Sequence, residues 1–332
     1  MKFLVIGDPI DSLIPKTDTG LAIVRVSLAR GHELYWSTAE EVSLGGARVE
    51  ARARGIVDCQ RGRLPAVDAL ARSQPVAAFD AVWIRKDPPM DWKYVSLCWL
   101  LTMEQNETVI VNRPSLLLEY HEKMVPFRAF RAGYLRENEI ISTHLVTGPG
   151  SPLPAEEKDA QWISKPWLGH GGRGVSKWES LALFRSQALR ELESGQAYSM
   201  LQRFYPQVQR TGDRRLFYIA GTYAGGFVRI PAPGAIKANL ASGGTAVLRE
   251  ITPSELDTAK RLGEYLRSIG IVLAGADMID GRITEVNITA PTGFEALFEL
   301  EGRQPVEQLV AFVERLVSSR GVWPAIDPSS AS

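Results

Sequence analysis

The chain has 332 residues, with 38 Lys plus Arg balanced by 38 Asp plus Glu, two cysteines and four histidines. With no net field to draw nucleic acid or an anionic membrane, small molecules are the expected partners. Cys59 and Cys98 lie far apart and the histidines fall singly, so neither a disulfide scaffold nor a Cys/His zinc site is indicated, and both thiols are expected to be reduced. No apolar run reaches bilayer length, and Met1–Leu4 leads into a strand, not a signal peptide, which predicts a cytoplasmic protein of two or three domains.

Lys2 to Asp8 is a short apolar run ending on Gly-Asp-Pro-Ile, read as a buried strand that opens an α/β unit. From Asp18, Leu21, Val24 and Leu28 recur at helical spacing, and Gly31 closes the helix before a second strand, HELYWST. The alternation in ARVEARARGIV predicts a pair of edge strands. Phe79 to Arg85 is a core strand ending on Lys86-Asp87-Pro88-Pro89, at the kind of strand end that hosts ligands, where Arg85 and Lys86 could hold a carboxylate. A helix from Asp91 to Gln105, the strand TVIVN and a turn at Asn112-Arg113-Pro114 close a first region near residue 120.

Lys123 precedes a helix broken by Pro126, and Gly148 to Glu157 reads as a surface loop. In QWISKPWLGHGGRG, Lys165 sits near a strand end with Gly169, Gly171, Gly172 and Gly174 beyond it. The glycines formally fit G-x-G-x-x-G, but VSKWES after them is β-like, so the segment is no dinucleotide fingerprint, and no Gly-Lys-Ser/Thr makes it a P-loop. A strand, a glycine turn and a returning strand predict a flap whose backbone N–H groups can approach phosphates. Further on come a helix from Leu181 to Glu193, the strand YSMLQRF, two β runs about a Gly-Thr turn that carry Arg215 and Arg229, and a helix capped by Thr252-Pro253-Ser254-Glu255. A helix from Val306 to Ser318 follows, and the last dozen residues are expected to fray.

Gly275 to Gly293, GADMIDGRITEVNITAPTG, is the densest stretch. Asp277, Glu285 and Asn287 are hard oxygen donors of the kind that suit Mg²⁺ held with phosphates, on two strands joined at Asp280-Gly281. A two-residue loop would place 277 and 285 on opposite faces, because side chains alternate with period two. The expectation is therefore a three-residue loop with a left-handed Gly bulge, which puts all three donors on one face.

Taken together and in order, Asp8-Pro9-Ile10, Arg85-Lys86-Asp87-Pro88-Pro89, Asn112-Arg113-Pro114, Glu122-Lys123, Lys165-Pro166 with Gly169-His170-Gly171-Gly172, Gly212-Asp213-x-Arg215, Arg229-Ile230-Pro231, Asn239-Leu240-Ala241-x-Gly243-Gly244 and Thr284-Glu285-Val286-Asn287 resemble the ATP-grasp superfamily and, within it, the bacterial glutathione synthetase family. The resemblance implies an α/β (α+β) ATP-grasp fold with an N-terminal Rossmann-like domain. Its parts would be a substrate domain (1–120), a small subdomain with the flap (121–201), a C-terminal subdomain with the metal site (202–320) and a frayed tail (321–332). It also implies that Lys123, Lys165, Gly169, His170, Gly171 and Gly172 contact the ATP phosphates, that the strand edge at Leu201, Gln202, Arg203 and Phe204 receives adenine, and that Asp213 meets the ribose. Asp277, Glu285 and Asn287 would hold two Mg²⁺ ions, or Mn²⁺ in their place. Arg215 and Arg229 would stabilise the acyl phosphate, and Lys237 and Asn239 would reach phosphate or substrate.

What is implied is a carboxylate–amine ligase joining γ-glutamylcysteine to glycine, working as a homo-oligomer, a tetramer by family resemblance. No nucleophilic residue is needed for such chemistry, which rests on charge neutralisation and positioning. Leu168, Lys237 and Ala290 depart from the family pattern near the substrate side. A paralogous ligase for another acid and amine, and a nucleotide-binding regulator without catalysis, are the competing readings.

Overall fold

The computed structural model describes residues 1–148, 150–155, 160–193, 198–235, 238–240 and 243–323. Lys237, Pro149 and Glu156–Glu157 of the expected surface loop, and the tail from 324 onward, lie outside the described residues. The chain opens with β1 (Lys2–Gly7), α1 (Thr19–Ala29), β2 (Glu33–Thr38), β3 (Val42–Gly45), β4 (Arg48–Asp58), β5 (Ala66–Val67), β6 (Arg72–Pro75), β7 (Ala81–Arg85), α2 (Trp92–Thr102), β8 (Val109–Val111) and α3 (Pro114–Glu119). β1 pairs parallel with β2 and β7, and β7 with β8. Both faces of this parallel core are covered: Leu4, Ile6, Val82 and Ile84 enter one apolar cluster, and Phe3, Val5, Ala81 and Trp83 enter the other. The segment expected as an edge pair is instead one eleven-residue strand, β4, flanked by β3 and β6 on one part and by β2 on another. Its alternation marks one buried and one wet face, a pattern that interior antiparallel strands share with edges.

A second sheet follows, built from β9 (Thr143–Val146), β10 (Trp162–Pro166), β11 (Ser176–Trp178) and β12 (Ser199–Arg203), with α4 (Val125–Arg131) before it and α5 (Leu181–Glu193) between β11 and β12. The strand order β11-β10-β12-β9 is antiparallel throughout. Pro126 does not break α4 but sits in its first turn, where a missing N–H costs nothing. The third sheet runs β15-β14-β13-β16-β17, from β13 (Asp213–Ile219), β14 (Thr222–Ile230), β15 (Thr245–Val247), β16 (Leu273–Ile279) and β17 (Arg282–Asn287). The short α6 (Val208–Thr211) precedes it, and α7 (Pro253–Ser268), α8 (Phe294–Glu301) and α9 (Pro305–Ser318) pack around it. α7 starts at the expected capping box, with Thr252 Oγ1 accepting from Glu255 N at 3.2 Å.

One buried amide joins the first sheet to the third. Asn112, at the end of β8 and 2% exposed, donates through Nδ2 to the carbonyls of Leu273 and Ile288, both at 2.7 Å. Its Oδ1 accepts from the N–H groups of Val272 (2.9 Å) and Leu273 (3.0 Å). The side chain thus bonds to backbone entering β16 and backbone leaving β17. Asn112→Leu leaves these buried groups unpaired and is expected to cost about 3–5 kcal/mol, read as a lower urea midpoint with an unchanged slope.

Candidate functional site

The hairpin of β16 and β17 turns on two residues, not three. Ile279 pairs with Arg282, and Asp280 (φ 50°) and Gly281 (φ 74°) both take the left-handed conformation of a type I′ loop. The expected bulged turn is therefore wrong. The parity is corrected one step further in: Met278 pairs with Ile283 but Asp277 pairs with Glu285, which leaves Thr284 as the extra residue of a β-bulge. Thr284 Oγ1 donates to the Asp277 carbonyl at 3.2 Å and ties the bulge. Asp277 and Glu285 consequently stand side by side on one face, with Asn287 two residues on, opposite Gly275.

Asp277 is 4% exposed and lies between two arginines: its Oδ1 is 3.1 Å from Arg215 Nε and 3.0 Å from Arg229 Nη2. The strand register imposes this, because Arg215 pairs with Asp277 across β13 and β16, and Asp213 pairs with Arg229 across β13 and β14. Arg229 Nη2 also bonds Asp213. Burial works to raise the Asp277 carboxyl, but Arg215 and Arg229 outweigh it and hold it below the usual carboxylate range. Asp213 is pushed up to about 6 by burial, with the Asp277 charge adding to the shift. Asp277 Oδ1 has its two ion pairs but no aligned hydrogen bond, and Asp213 Oδ1, Arg215 Nη1, Arg229 Nε and Asn287 Nδ2 are buried without hydrogen-bond partners. Oxygens in that state fit a hard divalent cation, and donors in that state fit anionic oxygens.

Facing this cluster are two lysines and the glycine flap. Lys165 comes from the end of β10. Lys123, 5% exposed, donates from Nζ to the Gly169 carbonyl at 2.7 Å. Burial lowers its pKa, while Glu285 and Glu122 work against that shift. The preceding residue, Glu122, is spent on structure: its Oε1 accepts from Ile288 N (2.9 Å), Thr289 N (3.0 Å) and Thr289 Oγ1 (2.6 Å). Gly171, Gly172 and Gly174 all have positive φ, and a Cβ at Gly174 would meet Pro166 Cγ at 2.6 Å, so the returning arm of the flap needs glycine there.

These groups line one cleft between the second and third sheets, with about 900 Å³ of empty space partly open to solvent. Lys123, Lys165, Gly169, His170, Gly171, Gly172, Gln202, Arg203, Phe204, Asp213, Asn239, Asp277 and Glu285 border it together, whereas Arg215, Arg229 and Asn287 stand behind its wall. The far end is apolar, formed by Ile163, Val175, Phe204, Val208 and Ile279. The strand expected to receive adenine is not a free edge of its sheet. β12 lies inside its sheet between β10 and β9, Leu201 is in the core, Gln202 Nε2 donates to Thr143 Oγ1 (2.9 Å), and Phe204 N donates to the Gln161 carbonyl (2.8 Å). Gln202, Arg203, Phe204 and Tyr205 border the cleft, and Leu201 does not.

Reading by motif passed over Thr284 as a register device, the apolar wall and Tyr205. Tyr205 had a signal, since it continues the run of the strand before it; in the structure Arg282 lies over its ring at 5.0 Å. His121 and Trp167 had none: their rings stack at 4.0 Å and 4° although 46 positions separate them.

Comparison with known proteins identifies the family and the fold. Residues 1–117 match the family model of the prokaryotic glutathione synthetase N-terminal domain, and residues 136–302 match that of the prokaryotic glutathione synthetase ATP-grasp domain. The glutathione synthetase of Nitrosomonas europaea is 31% identical over 96% of this chain and 99% of its own length; that of Rhodopseudomonas palustris is 30% identical over 91% and 94%. Among solved structures, the D-cycloserine synthetase DcsG (17% identical, TM-score 0.62, 95% of this chain and 99% of that one) and a RimK domain ATP-grasp protein from Sphaerobacter thermophilus (15% identical, TM-score 0.59, 95% and 100%) share the ATP-grasp fold.

The stack also carries a pH signature. Burial first, and the neighbouring Lys123 charge second, lower the His121 pKa to about 4, so the folded protein keeps the ring neutral where an unfolded chain takes up a proton. Stability from this group is full above pH ~6.5 and falls as pH drops toward 4, by up to about 3 kcal/mol. In His121→Phe the pH dependence of the unfolding free energy over this window should flatten.

Proposed function

Because the chain belongs to the prokaryotic glutathione synthetase family, we propose that it is an ATP-dependent carboxylate–amine ligase that joins γ-glutamylcysteine to glycine, yielding glutathione, ADP and phosphate. The observation that carries the reading is the pairing of Asp277 with Glu285 on one face of a cleft that also holds Lys123 and Lys165. A carboxylate is a poor acyl donor. Transfer of the γ-phosphoryl group to its oxygen releases ADP and gives an acyl phosphate; attack by the amine then forms the amide and releases phosphate and a proton.

The nucleotide enters with its base against Ile163, Phe204 and Val208 at the end of β12, its ribose toward Asp213 and its phosphates toward Lys123, Lys165 and the Gly169–Gly174 turn. Asp277, Glu285 and Asn287 would hold divalent metal, two Mg²⁺ ions with Mn²⁺ as a substitute, which when bound neutralises the phosphate oxygens. Arg215 and Arg229 fix Asp277, and their unpartnered N–H groups would serve developing negative charge; Asn239, which borders the cleft, would reach phosphate or substrate, the role also expected of Lys237. The flap keeps water from the acyl phosphate. Arg85, 6% exposed and bonded to the Pro291 carbonyl at 3.1 Å with Nε and Nη1 unpartnered, is positioned for the acid substrate's carboxylate.

In this reading residues 1–120 form the substrate domain, 121–201 the small subdomain and 202–320 the metal-bearing subdomain of a cytoplasmic homo-oligomer, a tetramer as the family suggests. Trp92 and Trp99 on α2, 76% and 54% exposed, offer a face for self-association.

The purified protein should release ADP from ATP and Mg²⁺ only when γ-glutamylcysteine and glycine are both present. Glu285→Gln should lower kcat by about 10²–10³-fold, with the KM for γ-glutamylcysteine little changed. Clear turnover of another acid and amine, with none of this pair, would replace the substrate assignment; full activity in the variant would remove the metal assignment.

A further inference from the structure

The glycine turn that covers the cleft is held unevenly. Its near half is anchored by several contacts: Trp167 N donates to the Tyr198 carbonyl (2.7 Å), Gly169 N to the Pro166 carbonyl (3.0 Å), and the Gly169 carbonyl accepts from Lys123 Nζ (2.7 Å). Its far half carries positive φ at Gly171, Gly172 and Gly174, and is closed on itself by Arg173 N donating to the His170 carbonyl (3.1 Å). The anchor of the near half is the Trp167 indole, laid flat on the His121 imidazole at 4.0 Å and 4°.

His121 does two things at once. Its ring carries Trp167, and its Nδ1 accepts from the backbone N–H of Lys123 at 3.3 Å. One imidazole therefore ties the start of the flap to the backbone of the lysine that reaches into the phosphate end of the cleft. The pair also borders a smaller pocket with Pro88, Met90, Leu168 and Thr289, which shares Lys123, Gly169 and His170 with the nucleotide cleft. Seen from the chemistry, the stack stands at the junction of the two.

We propose that His121 and Trp167 are positioning residues for nucleotide binding: their stack clamps the Trp167–Gly169 half of the turn onto the Glu122–Lys123 segment, so that Lys123 is aimed at the phosphates while the His170–Gly174 half alone closes over them. The inference rests on the nucleotide assignment made above. It differs from a general packing role in what it predicts. A packing pair lost from the surface would weaken the fold and leave the substrates' relative affinities alone. A positioning pair acts through Lys123 and the flap, hence on ATP and not on the acid.

The test is ATP binding by titration calorimetry together with steady-state kinetics, on the full chain and on His121→Ala, Trp167→Ala, the double variant, His121→Phe and Trp167→Phe. Aromatic pairs of this kind are worth about two- to tenfold in an equilibrium, so each Ala variant should weaken ATP binding by about three- to tenfold and raise the KM for ATP. The KM for γ-glutamylcysteine should move less than about twofold, and the double variant should be no worse than either single one, as expected of partners in one interaction. Trp167→Phe, which keeps a flat ring on His121 and leaves Nδ1 in place, should return ATP affinity to within about twofold of the parent, while His121→Phe, which keeps the ring but loses the acceptor for the Lys123 N–H, should recover only part of it. Folded Ala variants that bind ATP like the parent, an equal rise in both KM values, or a loss that Trp167→Phe does not rescue would each overturn the proposal. If the parent chain binds no ATP, the nucleotide assignment falls with it; if the parent binds and the variants are unaffected, the clamp alone falls.

Discussion

Strand parity is the constraint on which the rest of this molecule depends. A type I′ loop at Asp280-Gly281 gives the tight, right-twisted hairpin, but by itself it sends Asp277 and Glu285 to opposite faces of the sheet. One extra residue, Thr284, moves the register and brings the two carboxylates together. The same strand is also the anchorage for its neighbours. β17 is the end strand of its sheet, and its outer backbone accepts from Ile141 at Ile283, donates to the Glu122 carbonyl from Val286, and continues to Ile288, where Glu122 and Asn112 both bind. The segment carrying Lys123, the entry to the second sheet and the end of the first sheet are thus positioned against the strand that carries Glu285.

Burying two acidic side chains close together is costly unless the protein compensates them first. Here Asp213 and Asp277 alternate with Arg215 and Arg229 in a buried group of zero formal charge, arranged by the register of three neighbouring strands. Single members cannot be removed cheaply, since a lost partner strands a buried charge. The group is complete in charge but not in hydrogen bonds, because carboxylate oxygens and guanidinium N–H groups on it lack aligned partners. A site that is electrically balanced yet short of bonds can accept a cation and an anion together with little rearrangement, and that is the form of preorganisation on which phosphoryl transfer depends.

Most of what lies within one strand or one helix start was legible in the sequence. The capping box at Thr252, the span of α5, the strand–glycine–strand shape of the flap and the two-stranded hairpin that carries Asp277, Glu285 and Asn287 all follow from local chemistry. What was misread needed a partner to be visible. The β4 alternation fits an edge or an interior strand alike until β3 and β6 are in place. β12 looked open because β9, which covers its other side, is separated from it by more than fifty residues. The bulge is the clearest case: nothing local distinguishes Thr284 as the inserted residue, because the choice between a bulge at the turn and one further in is made by cross-strand pairing and by the Thr284 hydroxyl reaching the Asp277 carbonyl.

That division follows the chemistry. The charged part of the cleft is built from strands and from short runs whose residue types announce themselves, so Lys165, Asp213, Asp277 and Glu285 could be named before they were brought together. The smaller pocket beside it is bordered by loops instead: Pro88, the Trp167–Leu168 step and Thr289. Here side chains are placed by contacts that no spacing encodes, as with Arg85 held by the Pro291 carbonyl and Trp167 lying on His121. Such loop residues can vary while the strand-borne carboxylates and arginines stay fixed, because exchanging Leu168 or Ala290 removes no member of the Asp213, Arg215, Arg229 and Asp277 group.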